Sequence, residues 1–66
     1  MKHRLKEQMD RYGDSQEELA EYLGVTYQTL SKKLNGHGDF SRTEIRKMKD
    51  RYSLTAQQID HIFFTD

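Results

Sequence analysis

Residues 16–36, Gln-Glu-Glu-Leu-Ala-Glu-Tyr-Leu-Gly-Val-Thr-Tyr-Gln-Thr-Leu-Ser-Lys-Lys-Leu-Asn-Gly, decide the fold of this chain. Apolar residues recur three and four apart, the period of a helix with one buried face. Leu19, Ala20, Leu23, Val25, Leu30 and Leu34 form the inward set, and the polar residues of the second half are left facing out. Gly24 interrupts the pattern and is expected at positive φ, where glycine carries no steric cost. The stretch therefore reads as two short helices joined by a tight turn. In this layout one helix braces and the next is offered to a partner.

On both flanks the same signals recur. A first helix is predicted over residues 2–12, with Leu5, Met9 and Tyr12 on one face and Gly13 as its stop. The second spans 16–23, with Ser15 as N-cap and Glu18 closing a capping box. The third spans 27–35, capped by Thr26, with Val25 and Leu30 at the spacing of a hydrophobic staple. Asn35-Gly36-His37-Gly38-Asp39 then forms a sharp connection. A fourth helix is predicted over 42–52, with Ser41 and Glu44 as its box, Phe40 and Ile45 as its staple, and Met48 and Tyr52 extending the buried face. A fifth spans 56–64, with Thr55 and Gln58 as its box and Leu54 and Ile59 as its staple. No strand pattern emerges, and the expected class is an all-α, compact five-helix domain.

Length and composition bound what such a domain does. Sixty-six residues give one core, and the absence of cysteine leaves neither a disulfide nor a thiolate metal site to staple it. No apolar run approaches the roughly 18 residues of a membrane span, and the charged N-terminus lacks the apolar centre of a signal peptide. A cytoplasmic protein with no membrane attachment is the expectation. His3, His37 and His61 match no zinc spacing, so no metal site is expected. No nucleophile, base and acid are grouped as catalysis requires, so neither an enzyme nor a cofactor or small-molecule binder is expected.

The formal net charge is zero, but the charge is segregated. Residues 13–25 carry Asp14, Glu17, Glu18 and Glu21 and no basic side chain. Residues 26–51 carry Lys32, Lys33, Arg42, Arg46, Lys47, Lys49 and Arg51 against Asp39, Glu44 and Asp50. The basic block covers the presented helix, the loop after it and the fourth helix.

Gln16, Ala20, Gly24, Leu30 and Asn35-Gly36, with Leu19, Leu23 and Val25 at the other apolar positions, resemble the helix-turn-helix of Cro/cI-type, lambda-repressor-like DNA-binding domains. The run Leu-Ser-Lys-Lys-Leu-Asn-Gly is similar to small phage-type regulators. The resemblance implies double-stranded DNA as partner and the third helix as the element placed in the major groove. It implies base readout by Thr26, Tyr27, Gln28, Ser31 and Lys32. Gln28 is suited to adenine, Lys32 to guanine, and Tyr27 to a thymine methyl or a phosphate. It implies phosphate contacts from Gln16 at the start of the bracing helix and from Lys33, Asn35, Gly36 and Arg42. Ile59, Ile62, Phe63 and Phe64 exceed what a short last helix needs to dock, and the reading gives them a dimer interface, since proteins of this kind read two-fold sites. Repression by promoter occlusion is the expected activity. The rival reading is a protein-interaction module on the same scaffold, such as an anti-repressor or antitoxin, which the zero net charge and acidic second helix favour.

Overall fold

A computed structural model describes residues 3–64. Five α-helices succeed one another: α1 (His3–Arg11), α2 (Gln16–Leu23), α3 (Tyr27–Leu34), α4 (Arg42–Tyr52) and α5 (Ala56–Ile59). The chain continues from α5 into a π-helical turn, Asp60–Phe64. The fifth helix expected over 56–64 is thus α-helical for one turn and then widens to i→i+5 geometry.

The N-terminal boundaries arise from local chemistry. At α2, α4 and α5 the cap hydroxyl of Ser15, Ser41 or Thr55 accepts the amide hydrogen bond of Glu18, Glu44 or Gln58, and that residue's side chain accepts from the cap amide. Each box thereby satisfies two donors that a helix start leaves unpaired. Thr26 caps α3 alone, accepting from the Thr29 amide.

The C-terminal ends of α1 to α4 share one device. The amides of Asp14, Val25, His37 and Leu54 donate to the carbonyls of Met9, Ala20, Lys32 and Lys49, at 2.8–3.0 Å, in the six-to-one bond of a Schellman closure. At the end of α2 the closure turns on Gly24, with φ +77. A Cβ there would meet nothing within 4 Å, so glycine is required for its backbone conformation and not for space. At the end of α4 the left-handed residue is Ser53, with φ 51, the one non-glycine at positive φ among the described residues.

Leu5, Met9, Leu19, Ala20, Leu23, Leu30, Leu34, Phe40, Met48, Tyr52, Leu54 and Ile62 form the core. Every helix the pattern identifies contributes to it except α5, whose Ile59 is partly buried and packs against its edge. Ala20 is buried on α2, and α2 packs against α3.

Tyr12 departs from the expectation that it shares the buried face of Leu5 and Met9. It lies beyond the end of α1 and is 50% exposed. Its ring lies 5.4 Å from that of Tyr52, and its hydroxyl donates to the Tyr52 carbonyl at 2.9 Å. The Tyr12 amide still donates to the Gln8 carbonyl at 3.1 Å, so the backbone follows the helix to its end, and the ring lies across the surface with its hydroxyl bound to the end of α4.

Candidate nucleic-acid interface

The turn between α2 and α3 is fixed at both ends, by the Gly24 closure and by the Thr26 cap. Leu30 and Leu34 anchor α3 in the core at 0% and 4% exposure. With that face buried, the 3.6-residue period turns the others outward. Tyr27, Gln28 and Lys32 are exposed, Tyr27 at 48%. Ser31 is half-buried on the flank. Thr26 is exposed, but its hydroxyl is committed: it accepts from the Thr29 amide and donates to the Thr29 hydroxyl at 2.9 Å. Of the expected base-reading set, Tyr27, Gln28 and Lys32 therefore project from the helix together, while Thr26 and Ser31 sit at its edge.

The residues expected at phosphates divide differently. Asn35, Gly36 and Arg42 are exposed. Among the described residues neither Arg42 nor Lys32 makes an ion pair, which leaves both charges available to a polyanion. Gln16 occupies the first position of α2 and is half-buried. Its Nε2 is shielded from solvent and has no hydrogen-bond partner among the described residues.

Lys33 is placed against the expectation. Its Nζ lies 2.7 Å from both carboxylate oxygens of Glu44, and its side chain is only 19% exposed. The ammonium also stands 5.9 Å from the centre of the Phe40 ring, within cation–π range. This charge is neutralised inside the molecule. Burial alone would raise the Glu44 carboxyl, but the hydrogen bond and charge of Lys33 and the Ser41 amide outweigh it, and the group is held below its ordinary range.

The acidic block of residues 13–25 is also partly neutralised. Asp14 accepts from Arg51 Nε at 2.7 Å and from Nη2 at 2.6 Å, and it also accepts from the Tyr52 hydroxyl. Hydrogen bonding from Arg51, against the opposing effect of burial and with help from Tyr52 and the Arg51 charge, lowers the Asp14 carboxyl below its ordinary value. Glu18 is turned back onto the Ser15 amide. Glu17 and Glu21 stay exposed on α2.

The four residues expected at a dimer interface separate. Ile62 is 4% exposed and belongs to the core, so it is not an interface residue. Ile59 and Phe63 are partly buried, the Phe63 ring meeting Phe40 edge-on at 5.6 Å. Phe64 is 69% exposed beside an open groove of about 370 Å³ lined by Asp39, Phe40, Ile45 and Phe63.

Sequence reasoning missed Glu44 as a partner of the presented helix and Arg51 as a partner of the α1–α2 turn. Both pairs join residues far apart in the chain, and no local spacing announces them. Among the described residues no group of three or more histidine and acidic side chains is placed to hold a metal. Among the same residues, no helix is long and apolar enough to cross a membrane.

A family model described as Helix-turn-helix matches residues 5–59. The chain belongs to this Cro/cI-type family of DNA-binding domains, which is not a family of enzymes. No curated protein and no solved structure matches the chain.

Proposed function

We propose that this protein is a sequence-specific double-stranded DNA-binding regulator of transcription, acting in the cytoplasm as a Cro-like repressor that occludes a promoter. The observation that carries this reading is the face of α3. In a chain of a DNA-binding family, Tyr27, Gln28 and Lys32 stand exposed together on a helix whose opposite side is locked in the core. Gln28 presents an amide suited to the paired donor and acceptor of adenine, and Lys32 a cation suited to guanine N7 and O6. Tyr27 supplies an apolar ring for a thymine methyl. Thr26 and Ser31 flank this set and complete the base-facing group.

Gln16, Asn35, Gly36 and Arg42 would set register on phosphates. Lys33 is left out of that set because its charge is held by Glu44. Phe64, with the exposed edges of Phe63 and Ile59, would join two copies, so that two recognition helices read a two-fold site. Segregation of charge supports the reading despite a net charge of zero. Asp14 and Glu44 are paired internally with Arg51 and Lys33, while Lys32 and Arg42 make no ion pair among the described residues.

The test is a titration of the protein with the duplex upstream of its own gene, over a series of salt concentrations. Binding is expected to weaken by about 0.9 log units per log unit of salt for each phosphate contacted. Gln28→Ala is expected to lose about 1–3 kcal/mol at one base position. Binding that is insensitive to salt, or a base preference untouched by both Gln28→Ala and Lys32→Ala, would refute the reading.

A further inference from the structure

We propose that Lys33 serves DNA binding as a positioning residue: its pair with Glu44 fixes the α3–α4 loop and the start of α4 relative to the recognition helix. The inference rests on the DNA-binding reading above and assigns to one side chain a role that reading does not contain.

Glu44 is the junction. Its Oε1 accepts both the Ser41 amide and Lys33 Nζ, each at 2.7 Å, and its Oε2 accepts Lys33 Nζ at 2.7 Å. One carboxylate thus caps its own helix and grips the preceding one. The loop between them closes over the lysine. A Cβ placed on Gly38 would lie 3.5 Å from Lys33 Cγ, and the Phe40 ring lies under the ammonium. Loop, cap and cation form one packed unit, with Glu44 only 7% exposed.

The residues around this unit are the ones that matter for a duplex. Asn35 and Gly36 come directly after the recognition helix, and Arg42 is the first residue of α4; all three are exposed. Phosphates on a duplex have fixed spacing, so ligands on two helices work together only if the helices keep theirs. The Lys33–Glu44 pair ties those helices at that point. A phosphate contact that drew Lys33 away from Glu44 would strand a buried carboxylate without its cation, which is a strongly unfavourable state. The geometry therefore favours positioning over contact.

The test compares wild type, Lys33→Met, Glu44→Gln and the double variant, with Lys33→Gln in reserve because it keeps most of the stem. Folding is checked first by circular dichroism. Affinity for the upstream duplex is then measured by anisotropy over a salt series. Each single variant is expected to bind about tenfold more weakly with an unchanged salt slope, and the double variant no more weakly than the worse single, as for two groups acting as one unit. Two results would overturn the proposal. One is a slope reduced by about 0.9 in Lys33→Met with Glu44→Gln binding like wild type, which marks a phosphate ligand. The other is wild-type affinity in Lys33→Met.

Amide exchange in the DNA-free protein separates this claim from the one it rests on. The Ser41 and His37 amides are expected to exchange at least about tenfold faster in Lys33→Met as the loop opens. Unchanged rates would overturn the lock, whether or not the wild-type chain binds the duplex.

Discussion

Arg51, near the end of α4, holds Asp14, in the turn between α1 and α2, through two hydrogen bonds of 2.6 and 2.7 Å. Only 4% of the Asp14 side chain is exposed. The Tyr52 hydroxyl donates to the same carboxylate, and the Arg51 guanidinium lies 4.6 Å from the centre of the Tyr22 ring. Tyr22 in turn donates its hydroxyl to the Lys47 carbonyl at 3.2 Å. These contacts join α4 to α2, which packs against α3, so the charge pair helps hold the helix proposed to read DNA in place.

Removing Asp14 should therefore be costly. Asp14→Ala leaves a partly buried guanidinium without its counter-ion and the Tyr52 hydroxyl without an acceptor, and is expected to cost about 2–4 kcal/mol. Tyr52→Phe deletes a single hydrogen bond to a charged group and is expected to cost about 1.5–3 kcal/mol. Urea denaturation of the two variants against wild type measures both values. Near-equal stability of Asp14→Ala and wild type would contradict the role given to this cluster.

The same groups set a pH window. Asp14 and Glu44 ionise more readily in the folded chain than at their ordinary values of 3.8 and 4.5. Their stabilisation is complete above those values, where the unfolded carboxyls are also ionised, and is lost as pH falls through the lower folded values. Burial, with the Asp14 hydrogen bond and charge behind it, raises the Tyr52 hydroxyl well above its ordinary 10.0. Its stabilisation is present below pH 10.0 and is lost as pH rises from there toward the folded value. Thermal melts are expected to show a plateau between about pH 5 and 9 that falls on both sides. In Asp14→Asn the acid limb should flatten.

Ser53 offers a gain in stability. It occupies the left-handed region at the end of α4, where the three preceding helix ends use glycine. Ser53→Gly is expected to stabilise the fold by about 0.5–1 kcal/mol, the relief of the left-handed strain less the added freedom of the unfolded chain. The reverse holds at the recognition turn. Gly24→Ala puts a Cβ on a residue at φ +77 and is expected to cost about 1–2 kcal/mol. Thermal melts of both variants give the two signs directly.

The C-terminal residues are expected to separate by function. Ile62→Ala opens a cavity in the core and should cost about 2–4 kcal/mol. Phe64→Ser removes an exposed ring and should leave the melting temperature nearly unchanged while weakening self-association, as read by sedimentation at increasing concentration. If Phe64→Ser and wild type share the same oligomeric state, the interface lies elsewhere.

Much of the fold was legible because the signals that set it are local. Ser15 and Glu18, Ser41 and Glu44, and Thr55 and Gln58 stand three residues apart and form the boxes their spacing predicts. Gly24 takes the positive φ expected of it. The outward set on α3 was legible for the same reason, since burying Leu30 and Leu34 leaves Tyr27, Gln28 and Lys32 no other direction. The rest depends on partners far away in the chain. Lys33 looks like one more exposed cation until Glu44, eleven positions on, is folded against it. Asp14 looks like part of an acidic surface until Arg51, thirty-seven positions on, arrives. Ile62 was grouped with Ile59, Phe63 and Phe64 because four apolar side chains close together in the sequence do not announce which of them the core takes, and it takes Ile62.

Selection of duplexes from a randomised pool tests the central claim most directly, with wild type, Gln28→Ala and Lys32→Ala run in parallel at about 50 mM salt, where phosphate contacts are strong. Wild type is expected to enrich a two-fold symmetric site, and each variant to relax preference at its own base position in both half-sites while keeping the others. No enrichment by wild type, or one site shared unchanged by all three proteins, would contradict the assignment of α3 as the helix that reads DNA.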